Sequence, residues 1–220
     1  MAGVPPRVVR GNPFTDPELV AGYERWYSTV GRRADRLEKR LLRMLLGRFP
    51  DAHEVLEVGC GTGHFTRWMT SRGLRAIGVD ISAAMLAEAR RLKTGDCVRG
   101  DALGLPFKSK SFDLVVMIAT LEFTPEPVEA LSEAFRVARG GVILGAFNDH
   151  SRLGQQLKAK GGVTWDSAHF FTVKELTRAV RRALGDRPAE VVWRTTLWPC
   201  WPRALPLPWG GFIGMAVRLS

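Results

Sequence analysis

Cysteine is scarce in these 220 residues, represented only by Cys60, Cys97 and Cys200. An odd number at wide spacing provides neither a disulfide framework nor a zinc ligand set. No metal is expected, and a reducing, cytoplasmic setting is. Residues 1–10 carry no apolar core of the kind that drives secretion, so a secretory leader is not expected there. No apolar run reaches the roughly 18 residues that a membrane-spanning helix requires. Internal repeats and long low-complexity tracts are missing too. Acidic residues are outnumbered, 22 Asp and Glu against 32 Lys and Arg, giving a formal charge of +10. That excess reads as a solvated basic surface. It permits attraction to nucleic acid or anionic lipid but specifies neither.

The hydrophobic fraction, 45%, sustains one sizeable core, and the length suits one α/β domain rather than two. The stretch from Glu54 to Thr66 is the most informative. Val55, Leu56 and Val58 form a short apolar run, the mark of a buried parallel strand. Gly59, Gly61 and Gly63 follow at once, and Thr62 is placed to cap the next helix. A strand that ends in spaced glycines and enters a helix lets a ligand lie against backbone N–H groups.

Along the chain, residues 1–15 read as a mobile arm, and 16–30 and 32–49 as helices. Strands are expected at 53–58, 75–79, 96–99, 111–118 and 141–147, with helices at 62–71, 82–92 and up to 138. Residues 151–160 and 172–184 read as helices, 161–171 as a loop, and 189–196 and 212–219 as strands. Thr172 and Glu175 form a capping-box pattern. Strand and helix alternate, which dictates βαβ units and a Rossmann-like, doubly wound, mostly parallel sheet. Residues 1–50 form an arm with two helices, and 51–220 a single α/β unit. Ligands of such sheets bind beyond the strands' carboxyl ends. The glycine turn, Asp80, Asp101 and residues 120–124 should therefore converge on one crevice.

Gly-x-Gly-x-Gly with an acid, Glu57, two residues ahead departs from the Gly-x-Gly-x-x-Gly dinucleotide fingerprint. His64 stands where the third glycine of that fingerprint would be, which disfavours the alternative of an NAD-type oxidoreductase. Asp80, about twenty residues on, is placed to accept hydrogen bonds from two ribose hydroxyls. Asp101 can accept one from an adenine amino group. A nucleoside is thus expected in the crevice.

On these residues the chain resembles the class I S-adenosylmethionine-dependent methyltransferases, in the broad branch of ubiquinone/menaquinone- and biotin-pathway-like small-molecule enzymes. The resemblance is carried by Val-Leu-Glu-Val-Gly-Cys-Gly-Thr-Gly at 55–63, Gly-Val-Asp-Ile-Ser at 78–82, Gly-Asp-Ala-Leu-Gly-Leu-Pro-Phe at 100–107 and Ser-Phe-Asp-Leu-Val-Val at 111–116. It implies a seven-stranded sheet with an antiparallel last strand beneath N-terminal cover helices, with 51–220 as the methyltransferase domain. It implies S-adenosyl-L-methionine as cofactor and S-adenosyl-L-homocysteine as product. The turn of Glu57, Gly59, Cys60, Gly61 and Gly63 would flank the methionine part, and Asp80 would hold the ribose. Ile81 and Met85 would line the adenine, with Asp101 and Ala102 at its edge. Ala119 and Thr120 would pass near the sulfonium, and Tyr27 would close over the cofactor.

The reaction implied is in-line displacement at a sulfonium methyl, which asks mainly for alignment and exclusion of water. A base is needed only for a nucleophile that arrives protonated, and Glu122, His150 and His169 are the candidates. Residues 197–211 hold Trp198, Trp201, Trp209 and four prolines. With Tyr23 and Trp165, Trp198 and Trp201 are expected to line an acceptor pocket, so a small apolar or aromatic acceptor is expected. A peripheral membrane contact is the other use of such a segment. No nucleic-acid partner is expected. Asn148-Asp149-His150 follows strand five and is not the Asn/Asp-Pro-Pro-aromatic motif that base-modifying relatives carry after strand four. A non-catalytic cofactor-binding module is the remaining alternative, and a monomer or homodimer is expected.

Overall fold

A computed structural model describes residues 13–198, 201 and 203–220. Most of the expected arm (1–12) and Cys200 lie outside the described residues. Helices α1 (Pro17–Ser28) and α2 (Arg32–Leu46) come first. The alternating segment follows: β1 (Glu54–Val58), α3 (His64–Thr70), β2 (Arg75–Asp80), α4 (Ala83–Arg91), β3 (Cys97–Arg99), β4 (Phe112–Ile118), α5 (Pro127–Val137) and β5 (Ala138–Phe147). Helices α6 (Arg152–Lys160), α7 (Val163–Asp166) and α8 (Val173–Leu184) precede β6 (Ala189–Thr196) and β7 (Phe212–Leu219).

The seven strands lie in the order β3-β2-β1-β4-β5-β7-β6. β7 is antiparallel to both its neighbours, so β6 runs in the same sense as β1 to β5. The order reverses between β1 and β4, which puts a switch point at the carboxyl end of β1, where the glycine turn begins. The central strands are buried on both faces, as a sheet covered by helices on each side requires. One face packs against α5 and α8 through Leu131, Phe135, Leu176 and Val180. The other packs against α2 and α3 through Leu41, Leu45, Phe65 and Met69.

α2 forms because Leu37, Leu41, Leu42 and Leu45 fall on one stripe, all buried, with Asp35 in its first turn. It presses close to the sheet at Gly214 of β7, where a Cβ would stand 2.7 Å from Leu41. The helix ends at Leu46, earlier than the spacing predicts, because Gly47 and Pro50 redirect the chain while Phe49 stays buried. β5 starts earlier than expected, at Ala138, since α5 passes into it with no intervening loop. The expected loop at 161–171 contains the single turn α7. The capping box at Thr172 and Glu175 is present. Thr62, in contrast, does not cap α3. Gly63 occupies the N-cap with φ 79°, and the Thr62 hydroxyl instead donates to Glu24 Oε1 at 2.5 Å.

Among the described residues, no helix is long and apolar enough to cross a membrane.

Candidate active site

The expected convergence occurs. A crevice opens at the carboxyl ends of β1, β2 and β4. Gly59, Gly61, Asp80, Ile81 and Met85 line it. Asp101, Ala102, Ala119, Thr120 and Tyr23 complete the expected part of its wall.

The three glycines of the turn all have positive φ, +74°, +54° and +79°, but they serve different neighbours. A Cβ on Gly59 would stand 2.4 Å from the Thr120 side chain, and one on Gly63 would stand 2.0 Å from that of Thr94. Gly61 is different. Its nearest neighbours would be Met85 Sδ at 3.9 Å and Tyr23 at 4.0 Å, both on the crevice wall. Gly59 and Gly63 are thus glycine for packing, and Gly61 leaves space for a ligand.

Asp80 ends β2 and binds the turn directly. Its Oδ2 accepts from the Gly61 N–H at 2.7 Å and its Oδ1 from the Ser82 N–H at 2.8 Å. A carboxylate has about four acceptor directions, so capacity remains on both oxygens for a vicinal diol. Burial raises the Asp80 carboxyl above its usual range, against the opposing effect of those backbone N–H groups. Asp101 holds its own loop through the Leu103 N–H at 3.0 Å. Ser82 caps α4, accepting from the Met85 N–H, and so fixes the neighbours of Asp80. Ala119, at the mouth beyond β4, has φ +49° and is held there by its N–H bond to Gly145 O at 2.8 Å. A left-handed non-glycine residue beside a crevice is strain held by its surroundings.

Other expected residues lie outside the crevice wall. Glu57 is 2% exposed and accepts from the Thr66 hydroxyl; burial pushes its carboxyl up to about 8. Within the turn, the Cys60 thiol faces Gly78 and Gly63 packs against Thr94, so neither lines the crevice. Tyr27 stacks on the His64 imidazole at 3.6 Å and bonds to the Tyr23 hydroxyl at 3.4 Å. Trp165 packs against Phe147 and Phe170, and the Trp198 indole N–H donates to Thr195 O at 3.2 Å. Trp201 is 48% exposed. None of these five aromatic and sulfur-bearing side chains belongs to the wall of the crevice. The apolar rim comes instead from Phe14, Phe123 and Pro125, with Phe14 edge-on to Phe123 at 4.8 Å.

Of the three base candidates, His150 and His169 are exposed. Glu122 is 1% exposed. Its Oε1 accepts from the Phe147 N–H at 2.7 Å, while Oε2 is buried with no partner among the described residues. Burial pushes this carboxyl up to about 7. Glu38 of α2 is buried too and pushed up to about 8, first by burial, with Asp35 and Glu122 contributing repulsion.

A charged clamp joins the N-terminal helices to the glycine turn. Glu24 of α1 accepts from Thr62 and, at 2.7 Å, from Arg67 of α3. His64 meets Asp35 of α2 at 2.7 Å, and Lys39 bonds to Asp35 as well. Pattern reading missed this clamp because the pairs through which Glu24 and Asp35 join α1 and α2 to the turn and α3 lie 29 to 43 residues apart.

The methyltransferase domain family matches residues 56–145. A demethylmenaquinone methyltransferase of Roseiflexus sp. is 30% identical over 177 residues, 77% of this chain and 70% of that protein. A malonyl-[acyl-carrier protein] O-methyltransferase of Enterobacter lignolyticus is 34% identical over 135 residues, of which this chain spans only 54% of the relative's length. A Thermotoga maritima structure described as an S-adenosylmethionine-dependent methyltransferase, possible histamine N-methyltransferase, superposes with a TM-score of 0.77. It is 29% identical, covering 93% of this chain and 98% of that one. Together with the crevice and its glycine turn, these likenesses show that the chain belongs to the S-adenosylmethionine-dependent methyltransferase family.

Proposed function

We propose that the protein binds S-adenosyl-L-methionine in the crevice and transfers its methyl group to a small molecule. The observation that carries this reading is the pairing of Gly61 with Asp80: an open glycine on the crevice wall, latched to a carboxylate with acceptor capacity to spare. Gly61 lets the ligand approach the turn, Asp80 holds the ribose, Ile81 and Met85 pack on the adenine, and Asp101 with Ala102 meets its edge. Glu57 ties β1 to α3 through Thr66, and Gly59 and Gly63 shape the turn by packing against Thr120 and Thr94. When bound, the cofactor supplies an electrophilic methyl group on a sulfonium. The chain's own part is alignment and dryness. Phe14, Tyr23 and Phe123 shield the mouth, and the clamp through Glu24, Asp35 and His64 keeps α1 and α2 over it.

The apolar rim supports an apolar or aromatic acceptor. Glu122 is the base candidate that burial favours, because its orphan Oε2 can take a proton or hold a cationic group near the β4 end. The test is a panel of aromatic hydroxyl, amine, thiol and carbon acceptors incubated with methyl-labelled cofactor and read by mass. Labelled product from an apolar or aromatic acceptor is expected; turnover confined to strongly polar acceptors would overturn this assignment of the rim.

A further inference from the structure

The fold brings together two cysteines that lie 37 residues apart in the chain. Cys97 pairs in register with Gly78 on the neighbouring strand, at the β3 edge of the sheet. Cys60 comes over the same point from the glycine turn, where the N–H groups of Gly59 and Cys60 both bond to Val79 O, at 2.8 and 3.1 Å. A Cβ on Gly78 would stand 2.6 Å from Cys60 Sγ and 3.0 Å from Cys97 Sγ. The missing side chain is what lets the two thiols approach the same point over Gly78.

Their surroundings differ in the way an attacking and a resolving thiol differ. Cys97 is half-buried on an edge strand, and Cys60 is 6% exposed. The neighbouring Cys60 thiol lowers the Cys97 thiol; burial opposes this, and the Gly78 N–H and Arg67 reinforce it. The same contact, with burial, raises Cys60. An accessible thiol biased towards thiolate beside a buried partner is the arrangement that oxidants select.

We propose that Cys97 and Cys60 form an oxidisable dithiol, modified by hydroperoxides to an intramolecular disulfide that distorts the glycine turn. The Cys97 thiolate attacks one peroxide oxygen, forming an S–O bond as the O–O bond breaks and releasing the other oxygen as water or alcohol. Cys60 sulfur then attacks the sulfenic sulfur, its proton leaving with the displaced hydroxide as water. Both sulfurs are oxidised, the peroxide is reduced, and a thiol reductant reverses the bond. Cys60 sits between Gly59 and Gly61, and Gly61 is latched to Asp80, so tying its sulfur to β3 moves the part of the wall a ligand touches. The effect on affinity rests on the crevice being the cofactor site; formation of the disulfide does not.

The experiment uses the full chain carrying Cys200→Ser, treated with hydrogen peroxide and then with dithiothreitol. Peptide mass mapping should find a Cys60–Cys97 link that the reductant removes. Calorimetry with S-adenosylmethionine should show affinity falling by about tenfold or more on oxidation, within the span of ordinary coupled sites, and recovering on reduction. The added substitution Cys97→Ser should keep the reduced protein's affinity and make it insensitive to peroxide. Absence of the link overturns the proposal, as does a link that leaves affinity unchanged. Reduced protein that binds no cofactor at all counts against the functional reading instead, and the mass map then decides the dithiol alone.

Discussion

Gly61 is the one glycine of the turn whose missing side chain opens on the crevice rather than on a neighbouring residue. That difference makes the glycines separable. Gly61→Ala should cost about 1–2 kcal/mol of stability for its left-handed backbone, yet weaken cofactor binding clearly. Gly63→Ala adds a collision with Thr94 and should lower the melting temperature further. Thermal unfolding and calorimetry on both variants check this; equal effects of the two on binding and stability would contradict the division of roles. At Glu122, the carboxyl pushed up to about 7 predicts an acid limb near neutrality in the rate profile for any acceptor that must lose a proton. Glu122→Gln should abolish that limb while leaving cofactor affinity within about twofold, since Glu122 is buried behind the crevice wall and not part of it. Asp80 and Asp101 were legible in the sequence because each ends or follows a strand at fixed register from the glycines. The orphan oxygen of Glu122 was not, because it depends on the Phe147 backbone 25 residues away.

At the scale of elements, the alternating strands and helices were readable from periodicity, and β6 and β7 have the limits their patterns predict. What misled was tertiary. Thr62 has the chemistry of a helix cap, but its hydroxyl is drawn to Glu24 on another helix. The cover helices themselves are held by two different means. α2 is anchored by apolar burial, and Leu41→Ala should cost about 2–5 kcal/mol in denaturant unfolding. The clamp is ionic. Burial would raise the Glu24 carboxyl, but bonds from His64, Thr62 and Arg67 outweigh it and hold it at about 2, below its unfolded 4.5. Its stabilisation is therefore present above pH 4.5 and lost as pH falls towards 2. His64 is depressed by burial but raised overall by Asp35 and Glu24, so its contribution is present below its unfolded 6.5 and lost as pH rises through the folded value. Glu38 and Glu57 retain protons to about 8 in the folded chain against 4.5 unfolded, so stability falls across that window as well. Melting temperature should accordingly peak near pH 4.5 and decline towards pH 8, and Glu57→Gln should flatten the decline. A melting temperature that rises steadily from pH 5 to 8 would contradict these assignments.

For the whole molecule, the sheet order explains why residues from four distant segments share one crevice: the switch between β1 and β4 places the turn, Asp80, Asp101 and the β4 end side by side. The grouping of the glycine turn, Asp80 and Asp101 was legible because it is built from backbone turns and strand ends, which local sequence specifies. The aromatic rim of the crevice was not. The tryptophans at 198 and 201 stood out by composition, but the rim is made by Phe14, Phe123 and Pro125, brought there by packing of the N-terminal segment over the β4 end. Calorimetric titration of S-adenosylmethionine and of NAD into the wild type and Asp80→Ala tests at once which cofactor the crevice takes and whether Asp80 holds it. Saturable binding of S-adenosylmethionine, none of NAD, and a loss of about ten- to a hundredfold in the variant, the worth of one charge-assisted hydrogen bond, are expected. Binding of NAD without S-adenosylmethionine, or an Asp80→Ala variant with unchanged affinity, would contradict this reading.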